Sequence, residues 1–181
     1  MNSEETIRPA VFVDRDGTLI EEVDHLSRLD DLVVYPSSLD AVKALRSNGF
    51  RVIVVTNQSG IGRGFFDEWA MRRIHDEIQR QMERGIDGFY FCPHLPDAGC
   101  RCRKPALGMI EDACDDFDID LSRSWMIGDK NIDVETGHNA GMRSALVSTG
   151  YGAEHKALLK QPADVFADDL WDAVQKILEL R

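Results

Sequence analysis

The chain has 181 residues, of which 43% are hydrophobic, enough to form a core and too many for an intrinsically disordered protein. Its 32 Asp and Glu outnumber its 21 Lys and Arg, for a formal net charge of −11, and the basic residues form no continuous block. This balance disfavours nucleic acid and anionic membrane surfaces as partners. A local anion site remains possible, because net charge does not describe one pocket.

The sequence carries no recognisable targeting signal. Its first five residues, MNSEE, lack the basic and apolar regions of a signal peptide. The longest apolar runs, such as residues 52–55, are far shorter than the roughly 20 residues that cross a bilayer. We therefore expect a cytoplasmic monomer with no membrane or nucleic-acid partner. Cysteines in such a protein suggest metal binding rather than disulfides.

Apolar runs of strand length recur along the chain, separated by amphipathic segments. They predict strands at residues 10–13, 51–55, 89–91, 125–127 and 144–147. Strand–helix alternation implies parallel pairing through right-handed crossovers. The pattern therefore predicts an α/β fold with a doubly wound, mostly parallel, Rossmann-like sheet and helices on both faces. Because no linker or repeat is visible, we expect residues 1–181 to form one domain.

Helical periodicity appears between and after these runs. It predicts helices around residues 39–45, 67–82, 107–117, 131–140 and 170–177. We expect Ser37 or Ser38 to cap the first helix and Gly49 to end it. Asp67 is placed to open the second helix, and Gly141 to stop the fourth.

Two carboxylates, Asp14 and Asp16, follow the first predicted strand in the sequence DRDGT. Hard oxygen ligands at a strand end suit Mg²⁺. A carboxylate beside a metal can also act as a nucleophile and form an aspartyl phosphate. A solvated turn at Asp16 and Gly17 would use the same residues, so this motif alone leaves both interpretations open.

The segment TNQSGIGRG follows the second predicted strand and is suited to holding phosphate. Hydroxyl, amide and free backbone N–H groups can donate hydrogen bonds to phosphate oxygens, which makes Thr56, Asn57, Gln58 and Ser59 candidates. Arg63 could bind a second anionic group. The alternative is a flexible glycine-rich loop.

Two further charged motifs follow. Arg103 and Lys104 stand before a predicted helix, where Lys can hold a phosphoryl oxygen and Arg can act as a bidentate partner. Asp129 and Asp133 follow the strand at 125–127, one helical turn apart, so both can face the carboxylates of DRDGT. An exposed basic pair and an acidic helix N-terminus are the alternatives.

The loop at residues 92–102 contains Cys-x-His followed by Cys-x-Cys. Cys92, His94, Cys100 and Cys102 supply three thiolates and one imidazole, the ligand set of a closed tetrahedral zinc site. A bound zinc ion would make the loop rigid directly before Arg103 and Lys104. Cys114 lies on an apolar helix face and is expected to be a buried core thiol.

The four strand-end motifs occur in one order: Asp-x-Asp-Gly-Thr, Thr-Asn, a Lys before a helix, and Gly-Asp-x-x-x-Asp. This set resembles that of the haloacid dehalogenase superfamily of phosphatases, over nearly the whole chain. DRDGT, the zinc loop and residues 102–105 look like the histidinol-phosphatase-type branch. That branch contains the D-glycero-D-manno-heptose-1,7-bisphosphate 7-phosphatases and the histidinol-phosphate phosphatases.

Individual segments resemble one enzyme of this branch or the other. TNQSGIGRG and residues 140–152 are similar to the heptose enzymes. The zinc-loop spacer is also similar to the histidinol enzymes, and residues 21–25 differ from the Asn-rich segment expected in heptose enzymes. The resemblance favours removal of the C7 phosphate of the heptose bisphosphate, with histidinol phosphate as the alternative substrate.

The resemblance also implies a two-step, Mg²⁺-dependent hydrolysis of a phosphomonoester. Asp14 would attack phosphorus, and Asp16 would first donate and then accept a proton. Thr56 and Lys104 would stabilise the transferring phosphoryl oxygens. A carboxylate oxygen of Asp14, the backbone carbonyl of Asp16, and Asp129 would hold Mg²⁺.

Arg63, Arg103 and Lys130 are further candidates for contacts with substrate. The chain is too short for a large cap domain, so we expect loops to shape the site, including residues 21–31 with His25. Two other functions stay open. The acidity disfavours a DNA 3′-phosphatase, and the cost of burying several carboxylates without a cation disfavours a silent, zinc-stabilised binding module.

Overall fold

The structure, a computed structural model, describes residues 7–180, and its strands form one six-stranded sheet. In chain order the strands are β1 (Ala10–Val13), β2 (Arg51–Asn57), β3 (Gly88–Cys92), β4 (Trp125–Gly128), β5 (Arg143–Val147) and β6 (Val165–Ala167). Every neighbouring pair is parallel, in the order β3-β2-β1-β4-β5-β6. The predicted doubly wound sheet is confirmed, with β6 as a strand that the apolar pattern missed.

Helices of varied length connect these strands. They are α1 (Ser38–Ser47), α2 (Ser59–Gly62), α3 (Glu68–Gln81), α4 (Gly108–Asp116), α5 (Asn131–Asn139), α6 (Gly152–His155) and α7 (Leu170–Glu179). Short 3-10 turns occur at residues 29–31, 121–123 and 156–158. None of the helices within residues 7–180 combines the length and apolar character needed to cross a lipid bilayer.

The sheet is covered on both faces, which explains the continuous apolar runs of its strands. In β1, Val11 and Val13 belong to a core that also contains residues of α1, α3 and α7. Phe12 belongs to a second core with Met109 and Ile110 of α4. Helix α5 packs on β4 and β5 at the same face as α4. The prediction of helices on both faces is therefore confirmed.

The N-terminus of α1 differs from the prediction. Ser37 precedes the helix, but its hydroxyl donates to the carboxylate of Asp169, 3.1 Å away. The Ser38 hydroxyl donates to the backbone carbonyl of Leu19 at 2.7 Å. The prediction that one of these serines caps α1 is wrong, because both hydroxyls bind partners from distant segments.

Other helix boundaries are confirmed. The Asp67 side chain caps α3 by accepting from the backbone N–H of Ala70 at 2.8 Å. Gly49 follows α1 with φ +82°, and Gly141 follows α5 with φ +71°. Both angles are in the left-handed region that a glycine adopts easily after a helix.

The carboxyl ends of the strands meet at one edge of the sheet. The strand order reverses between β1 and β4, and ligands of such sheets bind in the crevice at that point. Asp14 follows β1, Asp129 follows β4, and Thr56 and Asn57 are the last residues of β2. Within residues 7–180 no separate cap domain covers this edge, as predicted.

Candidate active site

The ammonium group of Lys104 lies between two carboxylates at the carboxyl edge. Lys104 Nζ is 2.9 Å from Asp14 Oδ1 and 2.7 Å from Asp133 Oδ1, and it donates to the backbone carbonyl of Val55 at 2.9 Å. Burial lowers the pKa of Lys104, but Asp133 and Asp14 outweigh burial and raise that pKa above its ordinary value. The lysine is therefore charged, and its three donors have three acceptors.

Asp14, Asp129 and Asp133 each place a carboxylate oxygen within 4.8 Å of the others. Asp129 Oδ2 accepts from the backbone N–H of Tyr151 at 2.9 Å. Asp129 Oδ1 is buried without a hydrogen-bond partner in the described part of the chain. Burial, together with the nearby Asp14 and Asp133, raises the pKa of Asp129 to about 8. A cation would satisfy this oxygen, and Mg²⁺ prefers oxygen ligands of this kind.

The loop after β5 completes the surroundings of Asp129. A Cβ atom added to Gly17 or to Gly150 would overlap the Asp129 carboxylate, so these two glycines make room for it. The Thr149 hydroxyl donates to the backbone carbonyl of Gly17 at 2.6 Å and joins the loop to DRDGT. The sequence motifs did not predict the contact of Gly150 with Asp129, although the sequence Thr-Gly-Tyr-Gly after a predicted strand could have indicated a place in the site.

Asp16 is held in one orientation. Arg15 donates from Nη2 to Oδ1 at 2.9 Å and from Nε to Oδ2 at 3.1 Å. Gln58 Nε2 donates to Oδ2 at 2.7 Å, and the Thr56 hydroxyl lies 3.4 Å from the same oxygen. The Asp16 carboxylate is therefore held by Arg15 and Gln58 outside the cluster of Asp14, Asp129 and Asp133, and it lines a cavity.

This open cavity has a volume of about 280 Å³ and is lined by the loops that follow the strands. Its wall carries both signs of charge, from Glu22 and Asp24 and from Arg103 and Lys130. Lys130 Nζ bonds to Glu22 at 3.0 Å and lies 4.9 Å from the centre of the Tyr151 ring. Arg103 and Lys130 thus place two positive charges on the cavity wall, although Lys130 is paired with Glu22 and the whole chain is acidic.

Most of the predicted substrate-binding residues line this cavity, but not all of them do. Those that line the cavity are Asn57, Gln58, Ser59, Arg103 and Lys130. Arg63 is exposed after α2 and is not among the described residues of the lining. The Asn57 side chain accepts from the Lys104 backbone N–H at 3.0 Å and donates to the Lys104 carbonyl at 3.3 Å. Asn57 therefore positions Lys104.

The side chains of the predicted zinc loop converge. Cys102 Sγ lies 3.0 Å from Cys92 Sγ, 3.6 Å from Cys100 Sγ and 3.2 Å from His94 Nδ1. Ligands about 2.3 Å from a tetrahedral ion are about 3.8 Å apart, so this cluster is close to the spacing of a zinc site. All the cysteines are free, and Cys114 is half-buried against the core of α4 rather than fully buried.

The zinc loop is joined to neighbouring elements of the site. The Cys92 carbonyl accepts from the Gln58 backbone N–H at 2.7 Å, and the Pro93 carbonyl accepts from that of Gly62 at 2.9 Å. Arg103 Nη1 donates to the His94 carbonyl at 3.3 Å. TNQSGIGRG is therefore the end of β2 followed by the short helix α2, and it is anchored to the loop.

The chain is similar in sequence and in structure to known proteins. The family model described as HAD-hydrolase-like matches residues 101–173. A probable D-glycero-D-manno-heptose-1,7-bisphosphate 7-phosphatase of Thermoplasma acidophilum is 43% identical over 76% of this chain and 89% of its own. The D-glycero-D-manno-heptose-1,7-bisphosphate 7-phosphatase of Thermosynechococcus vestitus is 37% identical over 94% of this chain and 95% of its own length. Among solved structures, the chain resembles the D,D-heptose 1,7-bisphosphate phosphatase of B. bronchiseptica, which was crystallised with magnesium and phosphate. The TM-score is 0.87 at 32% sequence identity, over 96% of this chain and 99% of that one.

The parallel sheet with its strand-end carboxylates, together with these matches, defines a phosphatase of the haloacid dehalogenase type. More narrowly, the chain belongs to the family of the D-glycero-D-manno-heptose-1,7-bisphosphate 7-phosphatases, with identities of 43% and 37% to two members over most of both chains. The predicted superfamily, branch and enzyme class are confirmed. The roles of the individual site residues remain predictions.

The Cys/His cluster predicts a stability contribution from zinc. We expect Cys100→Ser to reduce bound zinc well below one ion per chain and to lower the free energy of unfolding by about 4 kcal/mol, because the loop loses a metal ligand. Cys114→Ser is the matched control and should retain zinc. Elemental analysis and urea unfolding measure both effects. Full zinc retention in Cys100→Ser would show that the ligand set is wrong.

The raised pKa of Asp129 predicts a pH-dependent stability. The folded protein keeps this proton up to about pH 8, whereas the unfolded chain loses it near its ordinary pKa of 3.8, so stability falls as pH rises between these values. Without added Mg²⁺ we expect the Tm to fall from pH 5 to pH 8, and Mg²⁺ should restore most stability at pH 8.

Calorimetry of two variants tests this titration. Asp129→Asn removes the carboxylate and should flatten the dependence of Tm on pH. Asp115→Asn changes an exposed carboxylate on α4 and should leave the slope as it is. The same slope in Asp129→Asn as in the unmodified protein would contradict the assignment.

Proposed function

We propose that this chain hydrolyses the C7 phosphate ester of D-glycero-D-manno-heptose 1,7-bisphosphate, with Asp14 carrying the phosphoryl group transiently. The observation that carries the chemistry is the position of Asp14, which pairs with Lys104 in a carboxylate cluster at the strand edge. Membership of the family supports the substrate, since the named relatives are heptose bisphosphate phosphatases. The same names favour this sugar over histidinol phosphate.

In the proposed first step, a carboxylate oxygen of Asp14 attacks phosphorus while the bond from phosphorus to the C7 oxygen breaks. Asp16 gives its proton to that oxygen, so the sugar leaves with a free hydroxyl. Lys104 and the Thr56 hydroxyl donate to the phosphoryl oxygens as charge shifts onto them. The products are the 7-hydroxyl sugar, an ionised Asp16 and an acyl phosphate on Asp14.

In the second step, water attacks the phosphorus of this acyl phosphate. Asp16, now a carboxylate, takes the proton from the water, and the bond between phosphorus and the Asp14 oxygen breaks. Inorganic phosphate leaves, and both aspartates return to their starting states. The orientation of Asp16 beside the cavity, held by Arg15 and Gln58, supports its use in both steps.

We assign Mg²⁺ to Asp14, Asp129 and the backbone carbonyl of Asp16, with Asp133 oriented toward Lys104. The bound cation supplies positive charge that offsets the repulsion between the carboxylates and a dianionic phosphate. The buried, unpartnered oxygen of Asp129 supports the assignment. We assign zinc to the Cys/His cluster as a structural ion, because all four of its ligand positions are filled by protein.

A bisphosphate substrate requires cationic groups at two places. Lys104 and the Mg²⁺ site serve the reacting phosphate. Arg103 and Lys130 on the cavity wall are the proposed contacts for the other phosphate, and Arg103 is anchored to the zinc loop through the His94 carbonyl. Because Arg63 lies outside the lining, we give it the weaker role.

A phosphate-release assay in Mg²⁺ tests the reaction and the substrate together. The assay compares both anomers of the heptose 1,7-bisphosphate with histidinol phosphate, and we expect one heptose anomer to have the highest kcat/KM. Asp14→Asn should lower kcat at least about 10³-fold with an unchanged circular dichroism spectrum, because the nucleophile is lost. The exposed Asp115→Asn is the control. Normal turnover by Asp14→Asn would refute the role of Asp14 as the nucleophile. A preference for histidinol phosphate would refute the heptose 1,7-bisphosphate as the substrate.

The proposed contact with the second phosphate predicts a change in KM. Arg103→Ala should raise KM for the heptose 1,7-bisphosphate about 10- to 100-fold, because a charge-assisted hydrogen bond is lost. The KM for 4-nitrophenyl phosphate, which has one phosphate, should change little. Arg63→Ala is the comparison variant and should have the smaller effect. Equal increases in KM for both substrates would contradict a contact with the second phosphate.

A further inference from the structure

Arg15 is a buried cation to which the proposed chemistry gives no reacting role. Its side chain is 1% exposed, although the neighbours on either side in sequence are the two aspartates of the site. Burying a guanidinium group is unfavourable unless its donors are matched by acceptors. The structure matches Nε and Nη2 with the carboxylate of Asp16, and Nη1 with the ring of His75.

His75 supports Arg15 from the side opposite Asp16. It lies on α3, is 6% exposed, and stacks on Phe89 of β3 with ring centroids 4.6 Å apart. Its Nε2 is 3.3 Å from Arg15 Nη1. Burial, and the charges of Arg15 and Arg72, lower the pKa of His75 to about 3. The ring is therefore neutral, and Nε2 accepts from Arg15 when the proton is on Nδ1.

We infer that Arg15 is a positioning residue that fixes the carboxyl group of Asp16, and that His75 in turn fixes Arg15. The planar fork contacts both oxygens of Asp16, so rotation of that group breaks two charge-assisted hydrogen bonds. Gln58 holds the same group with a bond of 2.7 Å. The inference rests on the proposed function, in which Asp16 protonates the leaving oxygen.

If Asp16 is an acid that Arg15 holds in position, then the effect of displacing Asp16 depends on the leaving group of the substrate. The heptose oxygen is a poor leaving group and needs the Asp16 proton as the bond to phosphorus breaks. The 4-nitrophenolate ion leaves without a proton. A displaced Asp16 therefore slows the first substrate more than the second in kcat/KM, which reports the steps up to phosphoryl transfer. A purely structural role for Arg15 would slow both substrates by the same factor.

Arg15→Lys keeps the charge and removes the fork. We expect kcat/KM to fall about 10- to 100-fold for the heptose 1,7-bisphosphate and less than about 3-fold for 4-nitrophenyl phosphate. Both values come from one preparation, so any inactive fraction cancels in their ratio. Arg80→Lys, an exposed change on α3, the helix that carries His75, should leave both values unaltered. Equal losses on the two substrates in Arg15→Lys would overturn the inference.

Variants of His75 test the contact between His75 and Arg15, and they also test the inference if Arg15→Lys does not fold. His75→Leu removes the acceptor and should lower the ratio of the two kcat/KM values about 3- to 10-fold. His75→Gln keeps an acceptor oxygen and should restore most of that ratio. An unchanged ratio in His75→Leu would overturn the role of His75.

Asp16→Asn separates failure of the inference from failure of the proposed function. A large loss on the heptose substrate in Asp16→Asn, without any change of ratio in Arg15→Lys, would overturn the inference alone. If Asp16→Asn itself shows no dependence on the leaving group, the assignment of Asp16 as the acid fails, and the inference fails with it.

Discussion

The buried ammonium group of Lys104 joins three elements of the fold at one point. Its acceptors are Asp14 after β1, the Val55 carbonyl in β2 and Asp133 in α5, and Asn57 holds its backbone in place. Without this cation, two buried carboxylates would face each other uncompensated, which costs several kcal/mol. Because only a parallel sheet brings these strand ends to a common edge, the ion pairs and the topology depend on each other.

The fold could be predicted from the sequence to the extent that burial leaves a local pattern. Strands covered on both faces produce continuous apolar runs, and the five predicted strands are present. The sixth, Val165–Ala167, was missed because it is short and exposes Phe166, so its pattern is interrupted. The caps of α1 were wrong because Ser37 and Ser38 bind partners that are distant in sequence, and local propensity carries no information about them.

The positions of the site residues followed from the motifs, but the directions of their side chains did not. Asn57 was a plausible phosphate ligand from its place after a strand, yet its amide is engaged with the backbone of Lys104. Gly150 was overlooked because its contact with Asp129 forms only after β5 packs beside β4. Arg15 stood at the variable position of Asp-x-Asp, and only the structure shows that its fork holds Asp16.

The net charge of the chain does not describe the distribution of charge at the site. The chain carries a net charge of −11, while Lys104, Arg103 and Lys130 are concentrated at the strand edge and cavity wall.

The central claim is that Asp14 carries the phosphoryl group, and mass spectrometry of acid-quenched turnover mixtures tests it most directly. The account predicts a hydroxylamine-labile phosphoryl group on Asp14 during hydrolysis of the heptose 1,7-bisphosphate. Phosphate release at the full rate with Asp14 unmodified, or with the phosphoryl group on another residue, would contradict it.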